Sequence, residues 1–222
     1  IGDTQTDTVN HGGVPAGGTL QTSGACSSRI NLQLFSEPVS GSGSPDDDNS
    51  NNTDYTIDFA FWRTYSLGNR VWADKNNSGA IDGQDGALPG LRGVNVGLYT
   101  CSGALIDSTL TSDGGYYRFD ALEAGCYQVQ IDQSNFSSDQ SLAMCQVSST
   151  GLFQETAPNS NGDNNDNGSS ANGSVRSADI TLGPLGSEPV NESDLGSGGQ
   201  GTDDAYANMT IDFGFFCGDQ RL

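Results

Sequence analysis

The 222-residue chain is short of bases, of histidine and of apolar residues. Eight Lys and Arg stand against 28 Asp and Glu, a formal charge of −20. Nucleic-acid binding needs a basic footprint on the phosphate backbone, so this balance excludes it. Hydrophobic residues make up only 33% of the chain. No apolar run approaches the roughly 20 residues of a membrane-spanning helix, so membrane insertion is not expected. The single histidine, His11, lies in a Gly-rich segment. There is no GxSxG motif, no phosphate-binding Gly loop and no placeable Ser/His/Asp or Cys/His arrangement, so the chain is not read as an enzyme. The five cysteines, Cys26, Cys101, Cys126, Cys145 and Cys217, contain no CxxC pair, which argues against zinc. A chain that begins at Ile1 without an initiator Met or signal peptide is expected to be a processed or excised piece.

Sustained helical periodicity is also missing. In its place are short runs of period two, separated by Gly, Asn, Asp, Ser and Thr. Residues 29–35, 55–62, 93–99, 105–111, 116–119, 126–131, 142–147, 180–182 and 209–216 are predicted strands. Ser112-Asp113-Gly114-Gly115 reads as a hairpin turn, and 159–173 as a polar loop. Many short strands with Gly-rich turns predict an all-β fold, a β-sandwich. An acidic chain of low hydrophobicity is otherwise a candidate for disorder, and its self-repulsion opposes compaction. Bound divalent cations are the simplest relief.

An internal repeat sets the organisation. Thr56-Ile57-Asp58-Phe59 returns as Thr210-Ile211-Asp212-Phe213, 154 positions on. Each is preceded by an acidic Gly-rich loop and by Ser-Glu-Pro, at Ser36-Glu37-Pro38 and Ser187-Glu188-Pro189. The chain therefore reads as tandem sandwich modules, the first incomplete. Residues 1–64 are the C-terminal part of one module, 65–217 a complete one and 218–222 a tail.

The complete module opens on an acidic loop with metal-ligand spacing. With Asp74 as position 1, Asn76 is 3, Ser78 is 5, Gly79 is 6, Ala80 is 7, Asp82 is 9 and Asp85 is 12. That is the calcium-loop pattern of alternating oxygen ligands, a glycine at the bend and a closing carboxylate. Asp85 stands where a longer Glu is usual, and the flanks look like strand ends. The alternative is an Asn/Asp/Gly turn that binds nothing. A second site needs carboxylates converging from separate loops. Asp163 and Asp166 are candidates, with Glu188 or with Asp203 and Asp204; Asp3, Asp7, Glu37, Asp46 and Asp47 hold comparable places in the first module. The alternative there is a solvated acidic loop. Scattered cysteines in such a chain fit an oxidising, extracellular setting. Cys101 ends one strand and Cys126 begins another, so they are expected to pair if the strands are neighbours. Cys145–Cys217 is the further pairing expected, and Cys26 is left for a bridge to another subunit.

The ordered series from Leu67 to Tyr99, LGNRVWADKNNSGAIDGQDGALPGLRGVNVGLY, followed by TSDGGYYRFDALEAGCYQVQI and the closing DFGFF, resembles the calcium-binding B-type repeats of serine-aspartate-repeat surface adhesins. The likeness is close over 67–132 and looser over 133–205. It implies an Ig-like, transthyretin-like β-sandwich, extracellular, rigidified by Ca2+ and used as a spacer in long surface proteins. It assigns Asp74, Asn76, Ser78, Asp82 and Asp85 as ligands, with Ala80 giving its carbonyl. A related adhesin family locks its strands with a Lys–Asn isopeptide bond; the one lysine here, Lys75, lies inside the loop, so none is expected. The function read from the sequence is a calcium-rigidified stalk unit whose partners are neighbouring modules. The alternatives are a filament subunit completed by a strand from an identical chain and a carbohydrate-binding module.

Overall fold

A computed structural model of the chain describes residues 25–26, 64–87, 89–148, 157–160, 163–183, 188–193, 195–196, 198–202 and 205–217. The chain divides into two compact units, Ile1–Trp62 and Arg63–Leu222. The strands expected at 29–35 and 55–62, with the acidic loop between them, lie outside the described residues. The elements named below all belong to the second unit.

Among the described residues eleven strands make two sheets. They are β1 (Tyr65–Ala73), β2 (Asn95–Thr100), β3 (Leu105–Leu110), β4 (Tyr116–Leu122), β5 (Gly125–Ile131), β6 (Cys145–Val147), β7 (Ser169–Ala171), β8 (Ser174–Arg176), β9 (Ile180–Leu182), β10 (Ala207–Asn208) and β11 (Phe213–Cys217). One four-residue 3-10 helix, Gln133–Phe136, is the only helix among the described residues. The first sheet holds β10, β1, β11 and β6, with β4 also paired to β1; the second runs β3-β2-β5-β8-β7, with β9 also paired to β5.

Alternation puts the core between the sheets. Val96 and Leu98 of β2, Val129 and Ile131 of β5, and Tyr117 and Phe119 of β4 are buried; Gln130 and Arg118 between them are partly open, and Gly97 is buried. Those buried apolar residues form one core with Leu67, Val71, Ile211, Phe213 and Phe215, the first sheet supplying β1, β4 and β11. Trp72, whose side chain also has no access to solvent, is buried on the opposite face of β1. Tyr117 enters the core ring-first and donates its hydroxyl to the Ile211 carbonyl at 2.6 Å, the pairing that a buried phenol requires.

β1 is the organising strand. On one edge it pairs antiparallel with β4. On the other it runs parallel to β10 and β11 in turn, with Ser66 opposite Ala207 and Trp72 opposite Gly214. Backbone bonds continue between them: Ser66 N donates to Tyr206 O, Ile211 N to Gly68 O and Asp74 N to Phe215 O. A turn forms at 112–115, closed by Gly115 N to Ser112 O at 2.9 Å, but it is not the hairpin expected: β3 pairs with β2 and β4 with β1, so the turn carries the chain from one sheet to the other. Gly115 has φ 80°, and a Cβ there would lie 2.2 Å from the Val71 carbonyl, so no side chain fits.

Three further elements differ from expectation. The polar loop expected over 159–173 ends in a strand, because Asn172 and Gly173 take φ 50° and 85° and turn β7 back onto β8. Asn-Gly is the strongest two-residue hairpin signal. The strand expected at 142–147 begins only at Cys145, with fully buried Leu142 in the preceding turn. The strand expected at 209–216 is interrupted over 209–212, where Thr210 bonds Asn208 Oδ1 and Asp212 N bonds Asn167 Oδ1.

Among the described residues β3 pairs with β2 alone, and Leu105, Ile106 and Leu110 on it are exposed. Burial therefore separates two leucines of similar strand context. Leu98→Ala is expected to cost about 2–5 kcal/mol, and Leu110→Ala less than about 0.5 kcal/mol, measured as shifts of the urea midpoint.

Candidate metal centre

The loop between β1 and residue 86 is built around two buried carboxylates. Asp74, immediately after β1, has no access to solvent. Its Oδ1 accepts the Ser78 amide at 3.0 Å and its Oδ2 the Gly79 amide at 2.7 Å. The chain can turn there because Gly79 has φ 77°, the left-handed region that glycine enters freely. Asp85, also fully buried, closes the loop from the other end: Oδ1 accepts Lys75 N and Oδ2 accepts Asp82 N, both at 2.9 Å. Burial raises the Asp85 pKa, with the neighbouring charges of Asp74 and Asp82 adding to the rise. Asn76 donates from Nδ2 to Asp82 Oδ2 at 2.9 Å, and the Ser78 hydroxyl donates to the Ala80 carbonyl at 3.0 Å. All six residues picked out by spacing thus belong to one hydrogen-bonded loop.

Sequence spacing did not connect this loop to Asp166. The segment 164–166 runs along the loop: Ala80 bridges Asn165, Ile81 N donates to Asn164 O, and Asp166 N donates to Gly79 O. Asp166 is fully buried. Its Oδ1 accepts Gly168 N at 2.8 Å and Gly214 N at 3.2 Å, while its Oδ2 is buried with no hydrogen-bond partner. Burial pushes its pKa up to about 7, the two backbone bonds oppose the rise, and the nearby Asp74 charge adds to it. An orphaned, desolvated carboxylate oxygen beside a second buried carboxylate is a cost that a divalent cation removes. The donor set, carboxylates with amide, hydroxyl and carbonyl oxygens, is that of a hard cation such as Ca2+.

Asp163 and Asp166, three residues apart, face different surroundings. Asp163 accepts from Asn69 Nδ2 at 2.9 Å and from the Ser193 amide and hydroxyl at 2.8 and 2.6 Å. The same Asn69 amide reaches Asp212 Oδ2 at 3.2 Å, and Asn164 N also donates to that oxygen. This second acidic group therefore comprises Asp163 and Asp212, bridged by the buried Asn69. Glu188 stands in neither group and accepts the Gly183 amide at 2.9 Å; burial raises its pKa. Asp203 and Asp204 lie outside the described residues, as do Asp3, Asp7, Glu37, Asp46 and Asp47.

Two disulfides form, Cys101–Cys126 and Cys145–Cys217, and Cys26 is a free, exposed thiol. The Asp179 carboxylate lies within 4.8 Å of both sulfurs of Cys101–Cys126. That trio is no metal site, because disulfide sulfur is not the thiolate that ligates metals.

The β-sandwich and its acidic loop agree with a family model, the SdrD B-like domain, which matches residues 65–194. The chain belongs to this family. Among curated proteins, the SdrD B-like chain is 45% identical over 82 residues to a "Fibrinogen-binding protein" of Staphylococcus epidermidis. It is 41% identical over 80 residues to "Serine-aspartate repeat-containing protein C" of Staphylococcus aureus (strain MRSA252). These alignments cover 36% and 35% of the chain but only 7% and 8% of the relatives. The chain thus spans less than a tenth of the proteins it matches. Among solved structures, the group B streptococcus pilus 2b backbone protein is similar over 80% of the chain and 47% of its own, at 12% identity and a TM-score of 0.34. The T6 backbone pilin of serotype M6 Streptococcus pyogenes is similar at 14% identity and a TM-score of 0.30, over 74% and 40%. The SdrD B-like family is one of cell-surface proteins, and this chain shares that location. Among the described residues no helix is long and apolar enough to cross a membrane.

The Asp166 carboxyl gives the centre a pH signature in calcium-free protein. Its folded pKa, about 7, lies above the ordinary value of 3.8. Protonated Asp166 therefore favours folding, and this stability is present below about pH 4 and lost as pH rises through 7. The full loss is roughly 4 kcal/mol. Asp166→Asn should flatten it, so that calcium-free D166N is more stable than wild type at pH 8. Urea midpoints at pH 4.5 and pH 8 test this, and equal pH dependence in the two proteins would refute the assignment.

Proposed function

We propose that the second unit is a calcium-rigidified spacer of a long cell-surface protein. The observation that carries this is the buried Asp166 carboxylate, brought against the 74–85 loop with one oxygen unpartnered. Asp74, Asn76, Ser78, the Ala80 carbonyl, Asp82 and Asp85 supply the ligand set, and Asp166 adds a carboxylate from the far end of the sequence. A cation bound there neutralises charges that otherwise repel. The loop residues then hold the end of β1, through Asp74, to β11, through the Gly214 amide on Asp166. The protein's part is positional: strands bring the carboxylates together, and the glycine and serine amides orient them. Asp163 and Asp212, with Asn69 and Ser193 around them, form a second group of oxygens a short distance along the chain.

The role is mechanical rather than catalytic. Function as a spacer needs a module that keeps its length, and cross-linking the first strand to the last does this. Two domain-level readings accompany it: the modules stand in tandem, residues 1–64 belonging to a first and 65–217 to a second. A filament reading draws on the outer edge of β3, on which no described strand pairs, and on its exposed Leu105, Ile106 and Leu110, which suit strand addition by another chain. Solution size at rising protein concentration separates it from the spacer reading.

Calcium should raise the melting temperature, because a ligand that binds only the folded state stabilises it. For an extracellular site with Kd of about 10⁻⁴–10⁻³ M, 10 mM calcium adds roughly 1.5–3 kcal/mol. That corresponds to a rise of about 3–10 °C over the EGTA sample. Asp74→Asn with Asp85→Asn should abolish the response. A melting temperature unmoved by calcium in the wild-type chain would rule the proposal out.

A further inference from the structure

The two disulfides occupy positions that matter when the module is pulled from its ends. Chain enters at Tyr65, the start of β1, and leaves at Cys217, the end of β11. These two strands are parallel neighbours, with Val71, Trp72 and Ala73 opposite Phe213, Gly214 and Phe215. Parallel strands place the entry and the exit at opposite ends. A pull on the two therefore loads the hydrogen bonds along β1 from Ser66 to Asp74 in shear, all at once. When they fail, β1 comes away and the chain extends.

How far it extends is set covalently. Cys217 is the last residue of β11 and stands opposite Cys145 of β6 in register, and the two are bonded. The bond closes a loop of 72 residues, and Cys101–Cys126 closes one of 25. The larger loop contains Asp163, Asp166, Asp212 and strands β7 to β11; the smaller contains β3 and β4. Neither loop lies on the shortest covalent path, which runs from Tyr65 to Cys101, across to Cys126, on to Cys145 and across to Cys217.

We infer that the two disulfides act as extension stops: they carry tension past both loops and confine stretching to 65–101 and 126–145. This rests on the spacer reading for its purpose, though not for its physics. Of the 152 residue steps between Tyr65 and Cys217, 72 and 25 are bypassed and 55 remain. At about 3.5 Å per residue, the oxidised unit lengthens to about 190 Å rather than about 530 Å. Asp163, Asp166 and Asp212 stay within the tied loop after β1 has gone, whereas Asp74 and Asp85 leave with the stretched segment, so refolding brings that one segment back to the loop. Low apolar content makes such covalent closure the more useful, since the core alone resists little.

The test is single-molecule stretching of the full chain between end handles, with dithiothreitol added at constant force after the second unit has opened. The dithiol attacks one sulfur, closes to its own cyclic disulfide and releases two cysteine thiols. The expected record is an opening to about 190 Å, then two steps of about 250 Å and about 90 Å on reduction. The Cys145→Ser/Cys217→Ser variant should lose the larger step and open about 250 Å further at once. Because the reduction steps are read on already extended chain, they do not depend on whether that variant folds. Opening of the oxidised wild type to about 530 Å, or reduction without a step, overturns the inference. Repeating the pull in EGTA keeps the two proposals apart: calcium is expected to change the opening force, whereas the lengths follow the disulfides alone.

Discussion

Four carboxylates, Asp74, Asp85, Asp166 and Asp212, have no access to solvent in a chain that already carries a charge of −20. Burying an ionised carboxylate is costly unless it is bonded or paired. Much of the local structure at this end of the sandwich answers that constraint. The glycine at 79 turns the loop so that two amides face Asp74. Lys75 N and Asp82 N face Asp85, and the Gly168 and Gly214 amides face Asp166. Amides occupy most of these carboxylate oxygens but leave Asp166 Oδ2 without a partner, and they do not remove the mutual repulsion of Asp74, Asp82, Asp85 and Asp166. The hard cation proposed for this centre would supply what they lack.

The same constraint explains why β1 is central. Its end delivers Asp74 to the loop, its middle delivers Asn69 to Asp163 and Asp212, and its parallel neighbour β11 brings the Gly214 amide to Asp166. Trp72, between these positions, lies against Gly214, where a Cβ would come within 2.6 Å of the indole ring. Packing of β1 on β11 and assembly of the acidic groups are therefore one event. A change that loosens the strand pair also separates the carboxylates.

Covalent links supply what a small apolar fraction does not. A disulfide constrains the unfolded chain, more so for longer loops, and the 72-residue loop joins β6 to the closing strand. Phe136 stacks edge-on against Phe215 nearby, at 5.7 Å between ring centres, so the staple and the core edge support each other. The acidic loops act at one end of β11 and the disulfide at the other.

Much of this was legible in the residues alone. Period-two runs marked β2, β4 and β5, and six ligand candidates came from spacing within twelve residues, because both patterns are local. The pairing of Cys101 with Cys126 was legible because each stands at the edge of a strand of recognisable pattern. The Asn172-Gly173 hairpin signal was there too, hidden among the Asn and Gly of a polar loop. What local pattern could not carry was the meeting of Asp166 with Asp74, 92 residues apart, or the separation of Asp163 from Asp166 into different groups. Those depend on which edge of β1 the last strands take and in what register, and a one-residue slip would reverse every side chain. Sequence by itself determined most of the strands, the acidic loop and the family; the tertiary pairing of first and last strands decided which carboxylates meet.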